Sequence, residues 1–282
     1  MTELEHTGWL AKLQLHYRRD GERTVAHDRH EGPLRVLQGL YPEGPGICHH
    51  VLVHPPGGLA GGDVLHMDVR LDARTHALIT TPGATRFYRS RGTSAVQHAE
   101  LKLAAGARCE WLPLESIAYD DCLGENHLHL HLEPGAEAMG WDVLALGLPA
   151  AGQPFERGHF LQHLQLHGHW LERGRIAAAD RVLLDAPLGW AGHRVLATLW
   201  WVQGQDITND RREQLLERAR EAMQSSTLPG TAGVTSPNPR VVVLRALAPR
   251  VEPAMQLLMT VRAAWRACAW GLSAEGPRIW RT

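Results

Sequence analysis

Apolar and polar residues alternate with a period of two along most of the first two-thirds of the chain. Leu13 to Tyr17, Leu34 to Leu37, Val51 to Val53, Val64 to Leu71 and Ala77 to Thr80 each read as a short strand, punctuated by Gly, Pro and Asp. No helical pattern longer than two turns occurs before about residue 208. A parallel βα architecture needs a helix after nearly every strand, so this pattern argues against one. Two helices are expected near the C-terminus. The first runs from about Asn209, a favourable N-cap, to about Gln224, with Leu215, Leu216, Ala219, Ala222 and Met223 on one face. The second begins near Pro253 and stops at Gly271. It is apolar nearly all round and carries Arg262 and Arg266 one turn apart, which predicts burial against the sheets or a partner.

A weak internal repeat sharpens the fold. Val69-Arg70-Leu71, Leu101-Lys102-Leu103 and Leu130-His131-Leu132 are each followed by a turn and a second apolar run. The matched leucines lie 32 and 29 residues apart. Units that stack on themselves bury a continuous core, the logic of solenoids. The prediction is a mainly β fold, a β-helix-like stack of sheets with two α-helices near the C-terminus. A two-sheet sandwich would give similar short strands. No linker divides the chain, and residues 1–282 are expected to form a single domain.

Composition narrows the function classes. The 282 residues are 44% hydrophobic and 21% charged, with a formal net charge of −1. That balance suits a folded protein and gives no global attraction to nucleic acid or anionic membrane. Cys48, Cys109, Cys122 and Cys268 lack the spacing of a disulfide framework or a structural zinc site. The charged N-terminus has no signal-peptide run, and Arg262 and Arg266 interrupt the longest apolar stretch, so no membrane span and a cytoplasmic location are expected. Eighteen histidines, and ten tryptophans against three phenylalanines, are unusual. Imidazole is a frequent metal ligand, so the excess keeps metal handling open.

The segment His54-Pro55-Pro56-Gly57-Gly58-Leu59-Ala60-Gly61-Gly62-Asp63 must be a loop that allows close backbone approach. It lacks a G-K-[ST] element and a following helix, so it is no phosphate loop. A tight structural corner, with Asp63 as its cap, would also account for it.

This segment, after Gly32-Pro33-Leu34-Arg35-Val36 and Leu40-Tyr41-Pro42-Glu43-Gly44-Pro45, resembles the N-terminal signature of the UreD (UreH) family of urease accessory proteins. The match continues in order through Thr80-Thr81-Pro82-Gly83-Ala84-Thr85-Arg86-Phe87-Tyr88-Arg89-Ser90 and Glu110-Trp111-Leu112-Pro113-Leu114-Glu115. Gly140-Trp141-Asp142 and Pro277-Arg278-Ile279-Trp280 complete it. The resemblance implies a β-rich helical-sheet fold and a non-catalytic scaffold that binds apo-urease. It further implies two partners, a helical adaptor of the UreF type and a nickel-carrying GTPase of the UreG type. No tightly bound cofactor is implied; nickel would pass transiently along a polar internal path. Where the family pattern has a basic and an acidic residue, this chain has Leu148 and Gln153.

An ion in transit wants few, exchangeable oxygen and imidazole ligands, because a closed four-ligand site would trap it. Asp63, Glu115 and Asp142 are the acids inside matched motifs and are the first candidates, followed by His54 and Asp120. A turn or salt bridge would equally explain Asp142 and Asp120. Arg86, Tyr88 and Arg89 form a pattern found at interfaces and also on solvated strands.

His127, His129 and His131 share one face of a strand, about 6.8 Å apart per step. Adjacent ones could share a metal and the outer pair could not, so the run offers two ligands at most; a solvated face is the simpler account. Cys48-His49-His50 reads as a soft-metal pair or as a core cysteine flanked by surface histidines. Two other functions each lack required features. A histidine–zinc hydrolase would need a third ligand, a general base and an open position. An iron–sulfur assembly scaffold would need clustered cysteines.

Overall fold

A computed structural model describes residues 8–273 and 275–281. The elements are β1 (Leu10–Asp20), β2 (Arg23–Glu31), β3 (Arg35–Val36), β4 (Ile47–Val53), β5 (Val64–Leu71), β6 (His76–Thr80), β7 (Thr85–Phe87), β8 (Ala95–Leu103) and β9 (Arg108–Leu112). There follow β10 (Ser116–Ala118), β11 (Cys122–Leu132), β12 (Glu137–Leu146), β13 (Gly158–Leu166), β14 (Trp170–Ala177) and α1 (Arg181–Asp185). The chain closes with β15 (Val195–Gln203), α2 (Asn209–Gln224), β16 (Ala232–Asn238), β17 (Val241–Ala248) and α3 (Val251–Trp265).

The chain winds between two sheets. One has seven strands in the order β14-β13-β11-β8-β5-β1-β2; the other has ten, along β16-β17-β15-β12-β9-β6-β4-β3 with β7 and β10 attached through β12. The central neighbours β1, β5, β8, β11 and β13 are parallel, as are β4, β6, β9 and β12. Through the middle of the chain β4, β5, β6, β8, β9, β11, β12 and β13 alternate between the two sheets, and each coil advances by one strand spacing of about 4.8 Å. This is a β-solenoid-like stack, as the repeat predicted.

The repeat is visible in the register itself. Leu71 lies opposite Leu103, which lies opposite Leu132; Val69, Leu101 and Leu130 stack likewise. Across the turns, Ala77, Cys109 and Ala138 align in the other sheet. Side chains at equal positions of successive coils pile into continuous apolar columns, each fully buried leucine contributing roughly 1.5–3 kcal/mol. Antiparallel strands close the seven-stranded sheet at both ends, β2 on β1 and β14 on β13. β2 is largely exposed and polar, so its apolar alternation is too weak to read from sequence.

Helices α2 and α3 cover the outer face of the ten-stranded sheet. There they build a second core with Met139, Trp141, Leu199, Trp201, Leu215, Leu258, Val261 and Trp265. Trp141, Trp200, Trp201 and Trp265 are among the largest fully buried side chains, which accounts for much of the tryptophan excess. The helix limits agree with the sequence, with one correction. Thr208 rather than Asn209 occupies the cap of α2, and its side chain makes no capping hydrogen bond. The chain after α3 forms a π-helical turn, Arg266–Trp270, and leaves it at Gly271 with φ 64°, the left-handed stop expected there. A five-residue helix, α1, adds a third; Asp180 caps it by accepting from the Leu183 N–H at 2.9 Å. Among the described residues, no helix is long and apolar enough to cross a membrane.

Candidate functional site

The space between the sheets is largely apolar, and one row of amide side chains crosses it. Gln97 on β8, Asn126 on β11 and Gln162 on β13 occupy a single register, and all three point inward. Asp142 on β12 meets them from the opposite sheet. Asn126 Nδ2 donates to Asp142 Oδ2 at 2.7 Å and Gln162 Nε2 donates to Oδ1 at 3.0 Å; Gln97 Nε2 donates to Asn126 Oδ1 at 3.1 Å. Burial pushes the Asp142 carboxyl above the usual carboxylate range, and the two amide donors pull it back only in part. Among the described residues, Asp142 has no ion-pair partner.

This row spans the interlayer between two cavities. The first, about 250 Å³, is lined by His54, Gly58, Thr81, Arg86, Gln97 and Trp111. The second, about 440 Å³, is lined by Asp142, Gln162, Trp190, Thr198 and Arg245. Arg245, which faces the second cavity, pairs with Glu172 on β14.

The other predicted acids lie elsewhere. Asp63 has both oxygens engaged by the main chain, accepting from Trp9 N at 2.8 Å and Ala60 N at 2.7 Å. It clasps the glycine loop to the start of β1, the cap that sequence allowed as the alternative. The close approach implied by the glycines is made to the chain itself. A side chain at Gly58 would strike the Tyr88 ring and the Arg86 carbonyl, and Gly62 turns with φ 93°. Asp120 accepts from the Glu156 and Arg157 amides at 2.9 and 2.8 Å and from the Arg157 guanidinium at 2.6 Å. These contacts outweigh its partial desolvation and hold its carboxyl below the ordinary range. Glu115 stands at the turn between β9 and β10; burial raises its pKa, and nearby Glu252 of α3 raises it further. His54 lines the first cavity, where burial lowers its pKa and Asp63 partly offsets the shift.

The strand expected through Arg86, Tyr88 and Arg89 ends at Phe87. Arg86 is exposed and borders the first cavity. The Tyr88 ring lies 5.2 Å from that of Tyr119, and Arg89 Nε pairs with Asp121 at 3.0 Å. Leu148 and Gln153 form a backbone bridge around a short 3-10 turn, a contact that needs no charge.

Sequence reasoning missed a buried charge cluster beneath α3. Glu110, fully buried on β9, accepts from Arg262 Nε and Nη2 at 3.0 and 2.8 Å and pairs with Arg266 Nε at 3.2 Å. His76 Nε2 lies 3.3 Å from the same carboxylate, and Arg266 reaches Glu43 at 2.8 Å. His49 also meets Glu43, at 2.8 Å. Cys48 is a core cysteine, but the flanking histidines are buried rather than on the surface. His50 Nδ1 lies 2.7 Å from the Tyr17 hydroxyl. Beside the cluster, Trp280 Nε1 donates to Thr80 Oγ1 at 2.8 Å, its ring is 5.2 Å from Trp141, and Trp141 Nε1 donates to the Pro113 carbonyl. Segments far apart in sequence that carry the family resemblance thus meet over one patch of the ten-stranded sheet. The available signal was the pair of arginines one turn apart in an otherwise apolar helix.

The family model for the UreD urease accessory protein matches residues 10–281. The chain belongs to the UreD urease accessory protein family. It is 62% identical over 276 residues to a urease accessory protein UreD from Leptothrix cholodnii, covering 97% of this chain and 99% of that one. Relatives of the same description from Variovorax paradoxus and Methylibium petroleiphilum are 59% and 52% identical, again over 97% of this chain and 99% of theirs. This UreD-family chain therefore has a urease accessory role.

Proposed function

We propose that this protein is a non-catalytic, cytoplasmic scaffold that binds apo-urease and gives nickel a polar interior route to the urease active site. In this reading a UreF-type helical adaptor and a UreG-type GTPase deliver the ion, and no cofactor stays bound. The observation that supports it most is Asp142. A buried carboxylate held by neutral amides, with no cationic partner, leaves negative potential in a low-dielectric interior. A passing divalent ion relieves that cost, and two amides cannot complete a cage that would trap it. Glu43 and Glu110 are already neutralised by arginine and would attract it far less.

Glu115, whose charge is likewise uncompensated, is a second stop, and His54 at the first cavity is an entrance ligand. Asp63 and Asp120, with their oxygens committed to backbone amides and Arg157, hold loops in place and act on the route indirectly. The exposed Arg86, at the first cavity's rim, with the exposed Tyr88 and Arg89 that follow it, would face a partner protein.

The test is Asp142→Asn, which keeps shape and removes charge. Co-expressed with the urease subunits, adaptor and GTPase, the variant should still pull down apo-urease. Urease activity and nickel per urease subunit should fall together, by roughly tenfold or more, the scale expected when a ligand's surroundings are broken. Because burial raises the Asp142 pKa, a proton competes with the ion at lower pH, so activation should improve as pH rises through that value. Full activation by Asp142→Asn, at wild-type nickel content, would sink the route.

A further inference from the structure

The outward face of the seven-stranded sheet carries a histidine ladder that the interior route does not use. His66 on β5, His98 on β8, His127 on β11 and His163 on β13 share one register across four parallel strands. Neighbouring parallel strands bring like positions into stacking distance. The His66 and His98 rings stack at 4.9 Å and 4°, and those of His127 and His163 lie 5.4 Å apart. His129, two residues along β11 and so on the same face, lies 4.8 Å from His163 and 4.9 Å from His98. One ring nitrogen from each of His127, His129 and His163 falls within 4.8 Å of the other two.

We propose that His127, His129 and His163 form a surface binding site for a borderline divalent transition metal, with His98 as an adjacent fourth imidazole. Metal–imidazole bonds of about 2.0–2.1 Å bring ligand nitrogens to about 3.3 Å from one another, a closure of roughly 1.5 Å by ring rotation. The tautomers favour it. His127 Nε2 lies 3.0 Å from a Glu125 carboxylate oxygen and His163 Nε2 lies 3.4 Å from Gln165 Oε1. Both partners accept, so each Nε2 carries the proton and each Nδ1 keeps its lone pair for a metal. A histidine that donates to a carboxylate while binding through its other nitrogen is the usual supported ligand. His98 Nδ1 is buried without a hydrogen-bond partner, an uncommon state for a polar atom and one that ligation would resolve. Partial burial, with the neighbouring imidazoles, also lowers the pKa of His129 and His163, and brings His98 to about 4.

Three ligands from one face of a sheet leave further coordination positions open, so the ion is exchangeable. Imidazole sites suit nickel, zinc and copper. The site is separate from the interior row: Asn126 and His127 are adjacent on β11 and face opposite ways, so the two readings fail independently.

The full-length protein is titrated calorimetrically with Ni²⁺ alone and Zn²⁺ alone at pH 7.5, and Co²⁺ absorption reports the ligand set. One equivalent should bind. In His129→Gln/His163→Gln the affinity should fall by about 10–100-fold or more, while His30→Ala, on the exposed β1–β2 hairpin, leaves it intact. Circular dichroism and thermal midpoints establish that each variant is folded. Paramagnetic broadening by Ni²⁺ should appear first on the His127, His129 and His163 ring resonances of the wild type. That measurement needs no variant. Absence of binding, binding unchanged in the double variant, or broadening confined to other histidines would each overturn the site.

Discussion

Replacing Glu110 by glutamine tests what fastens α3 to the solenoid. The wild-type carboxylate is fully buried and carries the charge that balances Arg262, itself 1% exposed, and part of that on Arg266, 0% exposed. Arg266 keeps Glu43 in the variant, whereas Arg262 keeps neutral contacts, the Glu275 carbonyl and the Trp280 ring, and among the described residues loses its one directly paired carboxylate. Breaking a buried pair by removing one partner costs about 3–5 kcal/mol, because the remaining charge stays buried. A second estimate comes from protonation. Burial alone would raise the Glu110 pKa, but the His76 hydrogen bond and the Arg262 and Arg266 charges bring it down to about 2. Against an unfolded value near 4.3, that shift is worth about 3 kcal/mol at neutral pH. The two estimates meet near about 3 kcal/mol, which for a chain of this size corresponds to a drop of about 6–12 °C in thermal midpoint.

The sign with pH follows from the depressed value. The Glu110 contribution is fully present above the unfolded pKa and is lost as pH falls from about 4.5 towards about 2. Thermal unfolding of wild type and Glu110→Gln is therefore compared from pH 7 down to pH 3. The gap should be widest at pH 7 and should narrow steadily below pH 4.5. Equal midpoints at pH 7, or a gap that persists unchanged into acid, would refute the assignment of a stabilising buried charge cluster.

Three other outcomes are expected. Gly58→Ala should destabilise by about 1–3 kcal/mol, because the new methyl meets the Tyr88 ring and the Arg86 carbonyl, and chemical denaturation reads this directly. Asp120→Ala should leave global stability within about 1–2 kcal/mol while sharply raising hydrogen exchange at the Glu156 and Arg157 amides, which lose their acceptor. Exchange unchanged at those two amides would show that Asp120 does not pin that loop. Activation by Asp142→Asn and nickel titration of the histidine ladder supply the two functional measurements.

The sequence determined the class of this fold because its signals are local and periodic. Alternation marked strands, a repeat of the same short unit marked stacking, and Leu71, Leu103 and Leu132 came to rest opposite one another. Ordered motifs along the whole chain determined the family, and an apolar helix bearing two arginines announced its own burial. Which acids are free to meet a cation was not legible, since that depends on what faces each carboxylate. Asp63 and Asp142 look alike in sequence; one is consumed by two backbone amides and the other stands uncompensated beside amides from β11 and β13. The histidines teach the same lesson. Along β11 alone, His127, His129 and His131 offer two ligands at most, and the third, His163, lies 34 residues from His129. Only the parallel register of β11 and β13 brings it alongside, because a strand's own geometry sets spacing along the chain while pairing between strands sets what stands across from it.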